Sequence, residues 1–171
     1  MKLKSLAVVT ILALTLASCA NTQKKTTLDN NSGADKAQVD NGANAGIALE
    51  LNGDSDSNKA GSLQTVYFDF NSASLVDATK TTLDNNAKFL KANPTVKVQV
   101  EGHCDERGGV QFNLALGERR AKGIREYLVA QGVEASRIST ISFGKERPVA
   151  FGHDEEAWSK NRRGNFVVVA K

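Results

Sequence analysis

The fold is indicated by residues 96–128, VKVQVEGHCDERGGVQFNLALGERRAKGIREYL. This segment changes from a strand pattern through a polar loop to a helix pattern. Val96, Val98 and Val100 alternate with polar residues, which is typical of a strand with one buried face. Apolar residues then recur at helical spacing between Leu114 and Leu128, so we expect a helix with one buried face. The polar loop therefore lies between two rigid elements, a common position for a binding site.

Asn113 is expected to cap the start of this helix and Gly132 to close its end. Shorter patterns on both sides predict the other elements, namely strands at 65–70, 138–143 and 166–170 and helices at 75–92 and 154–160. The resulting order, β-α-β-α-β-α-β, predicts an α+β fold with helices packed on one mixed four-stranded sheet. We assign residues 62–171 to this domain, a length that suffices for one compact core.

The composition of the 171 residues, with 24% charged and 40% hydrophobic, is typical of a globular protein. The chain has 22 basic and 19 acidic residues, which gives a formal net charge of +3. This balance does not favour a nucleic-acid partner, and the basic runs at 119–122 and 162–163 are short. Two cysteines are too few for a disulfide-stabilised scaffold.

The first 18 residues predict a secretion signal, because Lys2 and Lys4 precede an apolar run of eleven residues, about half the length that spans a bilayer. The following LASC at 16–19 resembles the bacterial lipobox, so Cys19 is expected to become a lipidated N-terminus that carries three acyl chains. Ordinary cleavage beside an incidental cysteine is the alternative. Ala20 implies the outer membrane, with the anchored domain facing the periplasm.

Residues 19–61 predict a flexible tether. The segment 20–61 contains no aromatic residue and no proline, and all ten aromatic residues of the chain lie at Tyr67 or later. Without bulky apolar groups, such a segment cannot offset the entropy lost on ordering. Its expected reach of about 35 Å would let the domain work at a distance from the membrane.

The densest polar cluster is EGHCDERGG at 101–109, in the loop between the central strand and helix. Gly108 and Gly109 permit backbone conformations in which N–H groups converge on an anion. Asp105 and Arg120 supply opposite charges suited to a zwitterion, the carboxylate for an ammonium and the guanidinium for a carboxylate. A structural salt bridge between Asp105 and Arg120 is the alternative interpretation.

The motifs GHCDERG (102–108) and NLALGERRA (113–121) resemble the OmpA-like peptidoglycan-binding domain family. VYFDF (66–70), SFGKERP (142–148) and SKNRR (159–163) extend the resemblance over nearly all of residues 65–169. Cys104 and the pair Gly164-Asn165 depart from the family pattern, and the pair is expected to loosen the edge of the sheet.

The resemblance implies binding of the diaminopimelate residue of the peptidoglycan stem peptide, without cleavage and without a cofactor. A lipoprotein of this layout would link the outer membrane to the cell wall. It would also engage TolB and the Tol complex, and so support envelope integrity and cell division; these partners rest on the resemblance alone.

The resemblance also implies the residues of the site. By motif position, Asp105 would hold the ammonium of diaminopimelate and Arg120 its carboxylate, while Asn113 would support the ligand or the loop. The other residues implied are Phe70 and Asn71 on the opposite wall, Arg107 in the loop, and Arg162 and Arg163 as braces.

Cys104 raises two further interpretations. A cysteine hydrolase would need a histidine base, but alternation along a strand points His103 away from Cys104 and leaves His153 without an evident orienting partner. A zinc site would use His103, Cys104, Asp105 and His153, whose spacing lacks the pairs typical of tetrahedral sites. We therefore expect neither an enzyme nor a metal site.

Overall fold

The computed structural model describes residues 48–171. Its strands are β1 (Val66–Tyr67), β2 (Lys97–His103), β3 (Ile138–Gly144) and β4 (Arg163–Ala170). Its helices are α1 (Asp77–Ala92), α2 (Val110–Ala130) and α3 (Glu155–Asn161), with a 3-10 turn at Ala135–Arg137. This order confirms the predicted β-α-β-α-β-α-β arrangement.

Three predictions fall outside the described residues: the signal segment 1–18, the lipidation of Cys19, and the tether as far as residue 47. They stay predictions. Within residues 48–171, no helix is both long enough and apolar enough to cross a membrane.

The strands form one mixed sheet in the order β1-β4-β2-β3. β2 runs parallel to β3 and antiparallel to β4, while β1 pairs antiparallel with the start of β4. β2 is therefore a central strand, and it is buried from Val100 to its last residue, His103. As a result, the loop that follows β2 begins inside the protein, with Cys104 and Asp105 both buried.

The core lies between the sheet and helices α1 and α2. Val98 and Val100 of β2 are fully buried while Lys97 is exposed, as the alternating pattern predicts. The fully buried apolar side chains of the other elements include Leu83, Leu90, Ile124, Leu128, Phe166 and Val168.

α2 approaches β2 closely where two glycines meet. A Cβ atom at Gly102 would lie 1.9 Å from the carbonyl oxygen of Gly117, and one at Gly117 would lie 2.3 Å from Oγ of Ser142. A side chain at either glycine would force the helix away from the sheet. This contact fixes α2 against the end of β2 and brings Arg120, one turn further along, within reach of the His103 carbonyl.

The folded domain begins earlier than the predicted boundary at residue 62. Residues 48–61, which we call the N-terminal strap, run along the free edge of β4. The backbone of Asn52 donates to Val168 at 2.8 Å, Val168 donates to Gly53 at 3.0 Å, and Ser55 donates to Phe166 at 2.9 Å. The strap has few bulky apolar groups, of which Leu49 packs against the core, and it satisfies strand-edge backbone groups that β1 is too short to cover. The predicted tether is therefore wrong over residues 48–61.

Side chains of the strap also enter a buried polar network. Ser55 Oγ donates to Asn165 Oδ1 at 2.8 Å, and Asn165 Nδ2 donates to Glu101 at 3.0 Å. Arg163 donates to Asp56 at 2.7 Å. Asn165 thus connects β4 to the strap and to β2, so the expected loosening of the sheet at Gly164-Asn165 is not observed.

Element ends differ from the sequence predictions by three residues or more in three places. β1 is shorter than 65–70. The backbone N–H of Phe68 still donates to Arg162 at 2.9 Å, but the chain turns directly after Phe68. β4 begins at Arg163 rather than residue 166. α2 begins at Val110 after Gly109, so Asn113 does not cap it.

Candidate functional site

The loop at residues 104–109 is held in place by its neighbours. Cys104 N donates to a β3 carbonyl at 2.7 Å, and Asn113 Nδ2 donates to the carbonyl of Arg107 at 2.9 Å. Gly108 has φ of +91°, a conformation that favours glycine. Asn113, 2% exposed, therefore supports the loop from inside rather than capping the helix.

Arg120 is fully buried in α2 and directed at backbone carbonyls. Its Nε donates to Ser72 at 2.8 Å, its Nη1 to His103 at 2.7 Å, and its Nη2 to Asp69 at 3.0 Å. Among residues 48–171, no carboxylate forms an ion pair with this guanidinium. Burial lowers the pKa of Arg120, and its charge is held inside the protein at a cost in solvation.

The turn at residues 69–72 supplies two of the carbonyls that bind Arg120. Asn71 lies in the left-handed region with φ of 51°, which asparagine adopts more readily than most residues. This conformation lets Asp69 and Ser72 face the same guanidinium. Phe70 projects from the turn and is 57% exposed.

Asp105 is 3% exposed and accepts four hydrogen bonds. Arg107 donates to Oδ1 from its backbone N at 3.1 Å and from Nε at 3.2 Å, and to Oδ2 from Nη2 at 2.6 Å. Arg162 Nη1 donates to Oδ2 at 3.3 Å. Burial raises the pKa of Asp105, but the hydrogen bonds from Arg107 and Arg162 outweigh it, so the pKa lies below its usual value.

Arg107 lies between two aromatic rings. Its guanidinium carbon is 3.9 Å from the ring centre of Phe70 and 4.0 Å from that of Trp158. Glu155 lies 3.8 Å from the same guanidinium. Arg107 is thus held by stacking and by two carboxylates, although its side chain is 30% exposed.

A pocket of about 200 Å³ opens at this point. The six residues predicted for the site all line it, together with Cys104, Gly108, Phe112, Leu116 and Arg162. Asp105 and Arg120 share the pocket but form no ion pair with each other, since each is bonded to other groups. The alternative of a direct Asp105–Arg120 salt bridge is therefore wrong.

Comparisons with known proteins identify the family. A model of the OmpA family matches residues 67–162. The peptidoglycan-associated lipoprotein of Pasteurella multocida is 50% identical over 99 residues, covering 58% of this chain and 66% of that protein. That of Brucella melitensis is 37% identical over 163 residues, covering 95% and 90%. The crystal structure of the Burkholderia pseudomallei protein of the same description is 43% identical with a TM-score of 0.59, covering 61% of this chain and 88% of that one.

The chain belongs to the OmpA family. This confirms the resemblance drawn from the loop and helix motifs. The chain aligns with just under two thirds of the length of the Pasteurella relative. Every residue that lines the pocket lies inside the segment matched by the OmpA family model.

Three neighbours of the site in this OmpA-family domain have a larger part than the sequence indicated. Arg162, predicted as a secondary brace, touches Asp105 directly. Trp158 and Glu155 of α3 hold Arg107 and were not predicted. No local signal could have identified them, because α3 lies about fifty residues from the loop in sequence. Arg163 instead faces the strap.

Cys104 has the environment of a structural thiol. It is 4% exposed, its Sγ donates to a carbonyl of α2 at 3.4 Å, and burial raises its pKa, which disfavours the nucleophilic thiolate. His103 bonds to Glu101 at 3.3 Å, and His153 bonds to Glu106 at 2.8 Å, so the expectation that His153 lacks an orienting partner is wrong. In the part of the chain that the structure describes, neither histidine forms a hydrogen bond with the Cys104 thiol. Within residues 48–171, no three metal-ligating side chains are grouped to hold an ion.

Proposed function

We propose that this domain binds peptidoglycan without cleaving it, by holding the free ammonium and carboxylate at the far end of diaminopimelate in the stem peptide. The names of its relatives, peptidoglycan-associated lipoproteins, support the association with the cell wall. The charges that line the pocket support the choice of a zwitterion as ligand.

The charge of Arg120 is the observation that carries the proposal. It is buried without a carboxylate partner among the described residues, an arrangement that costs free energy unless an anion offsets it. The five N–H groups of Arg120 donate to four acceptors, and the weakest of these acceptors is the sulfur of Cys104 at 3.5 Å. Donor capacity therefore remains for a ligand carboxylate in the pocket.

Asp105 supplies the opposite charge in the same pocket. Its lowered pKa keeps the carboxylate ionised at neutral pH, and its position at the buried start of the loop gives it little competition from water. A ligand with an ammonium and a carboxylate on one carbon would meet both charges. A ligand with only one of these groups would leave a buried charge without a new partner.

We infer further that the domain is anchored to the outer membrane by lipid at Cys19 and reaches the wall through the residues before the strap. The lipobox-like LASC and the lipoprotein names of the relatives support this layout. Such a protein would link membrane to wall and contribute to envelope integrity and cell division.

Binding to TolB and the Tol complex is a second function that one observation favours. The mouth of the pocket carries exposed aromatic side chains, Phe70 at 57% and Phe112 at 49%, and Phe151 nearby is 90% exposed. Exposed aromatic groups of this kind are typical of protein interfaces. Since Phe70 and Phe112 also line the pocket, we expect TolB and peptidoglycan to exclude each other.

Co-sedimentation with purified peptidoglycan sacculi tests the proposed function. The chain without its signal, with Cys19→Ser for solubility, should sediment with sacculi and release no muropeptides. Arg120→Lys keeps the charge but loses the planar fork, and should weaken retention at least about tenfold. Arg119→Lys, an exposed neighbour on α2, is the matched control. Equal retention of both variants would contradict the proposal.

A further inference from the structure

We propose that Arg107 occupies the ammonium position of the pocket in the free protein and that an incoming ligand ammonium displaces it. Arg107 would then be a competitor that determines which amines reach Asp105, rather than a ligand contact. This inference rests on the proposed function and specifies how that site is regulated.

The carboxylate of Asp105 is saturated in the free protein. A carboxylate offers about four acceptor positions on its two oxygens. Arg107 occupies two on Oδ1 and one on Oδ2, and Arg162 occupies the fourth. A ligand ammonium can therefore bind Asp105 only if one of these donors leaves.

Arg107 is the donor most able to leave. Arg162 is 8% exposed in its side chain and also bonds to the carbonyl of Phe68 at 3.0 Å and to Glu155. The Arg107 side chain is 30% exposed, and its link to Asp105 through the backbone N–H survives rotation of the side chain. Two of the four acceptor positions would thus be released by one side-chain movement.

A place for the displaced guanidinium already exists. The carboxylate of Glu155 is 64% exposed and lies 3.8 Å from Arg107. The rings of Phe70 and Trp158 flank the guanidinium, and both contacts must change when it rotates away from Asp105. Arg107 can therefore leave Asp105 and still keep one carboxylate partner, Glu155.

This exchange makes the pocket selective. An amine without a neighbouring carboxylate would have to displace Arg107 from Asp105 with no gain at Arg120. When a zwitterion displaces Arg107, its carboxylate gains an ionic interaction with the unpaired charge of Arg120. This gain offsets the cost of the displacement. Simple amines are therefore excluded while diaminopimelate is admitted.

Titration of the full-length lipidated protein in detergent tests the inference, with Arg107→Ala beside wild type. The probe is the tripeptide L-alanyl-γ-D-glutamyl-meso-diaminopimelate. We expect R107A to bind it about three- to tenfold more tightly, as loss of a competing, partly exposed ion pair implies. A tripeptide ending in 2-aminopimelate, which has the far carboxylate but no far ammonium, should bind both proteins equally. Arg119→Ala, which also removes one positive charge, should behave as wild type.

The fluorescence of Trp158 gives an independent readout, because it is the chain's single tryptophan and it contacts Arg107. Binding of the diaminopimelate peptide should change its emission in wild type but not in R107A. Weaker or unchanged binding by R107A, or an unchanged emission in wild type at saturation, would overturn the inference. Failure of wild type to bind the peptide at all would instead overturn the proposed function.

Discussion

Asp105 and Arg120 are oppositely charged residues that share a small pocket and yet are bonded to different groups. Arg120 is held by backbone carbonyls, which carry no full charge, whereas Asp105 is held by two guanidinium groups. The two charges therefore do not neutralise each other, and both face the pocket in which a ligand with both charges would bind. A direct ion pair would have satisfied both residues and left little reason for a zwitterion to bind.

We also predict that pH has opposite effects on stability through the two histidines. Burial lowers the pKa of His103 below its ordinary 6.5, whereas the Glu106 side chain raises the pKa of His153. Below pH 6.5 the unfolded chain binds a proton at His103 that the folded protein excludes, so this residue makes stability fall as the pH decreases. His153 contributes in the opposite direction.

Urea denaturation between pH 5 and 7.5 checks this prediction. His103→Gln should reduce the loss of unfolding free energy toward pH 5, while His153→Gln, at an exposed position, should leave that loss in place or make it slightly steeper. A steeper acid loss in His103→Gln than in wild type would contradict the assigned direction.

Much of the pocket could be predicted residue by residue, because loop and helix motifs of a known family fix the positions of Asp105, Asn113 and Arg120. The partners of Arg107 could not. Trp158 and Glu155 reach it only because α3 leads directly into β4, beside the loop, and that placement depends on long-range packing.

At the scale of elements, the contact between α2 and β2 positions the site. Gly117 and Gly102 let the helix lie against the strand, and Arg120 follows one turn later. The alternating valines of β2 and the apolar face of α2 made both elements predictable. The closeness of their contact was not predictable, because it depends on which glycines face each other.

Gly117→Ala should therefore destabilise the protein by about 2–3 kcal/mol, because its Cβ would meet Ser142 Oγ at 2.3 Å and the Gly102 carbonyl oxygen at 2.7 Å. Gly123→Ala is the matched control in the same helix, where the nearest atom is 3.9 Å away. That substitution should stabilise by up to about 1 kcal/mol. Thermal denaturation of both variants measures the difference, and equal melting temperatures would contradict the packing described.

The N-terminal strap shows where composition misleads. Its small and polar residues correctly indicate that it cannot form a core of its own. They do not reveal that β4 offers an unpaired edge, to which the strap adds backbone hydrogen bonds and the buried Ser55 and Ala60. Order here is imposed by a strand more than a hundred residues later in the sequence.

Within residues 48–171, the pocket and the strap lie at different parts of the same four-stranded sheet. The strap pairs with the C-terminal half of β4, while the pocket lies beyond the end of β2, beside Arg162, which directly precedes β4. A force applied to the chain before residue 48 would be transmitted to the sheet through the strap and not through the loop at residues 104–109. This arrangement fits the proposed role of a domain that binds peptidoglycan while a lipid anchor holds the chain to a membrane.

Amidation of the ligand tests whether the pocket recognises a zwitterion. The stem tripeptide with its far carboxylate converted to the amide keeps its size, its shape and its ammonium but loses the anion meant for Arg120. Calorimetric titration of both peptides should show measurable binding of the carboxylate form and at least about tenfold weaker binding of the amide. Equal affinity for the two peptides would contradict the assignment of Arg120 as the carboxylate receptor.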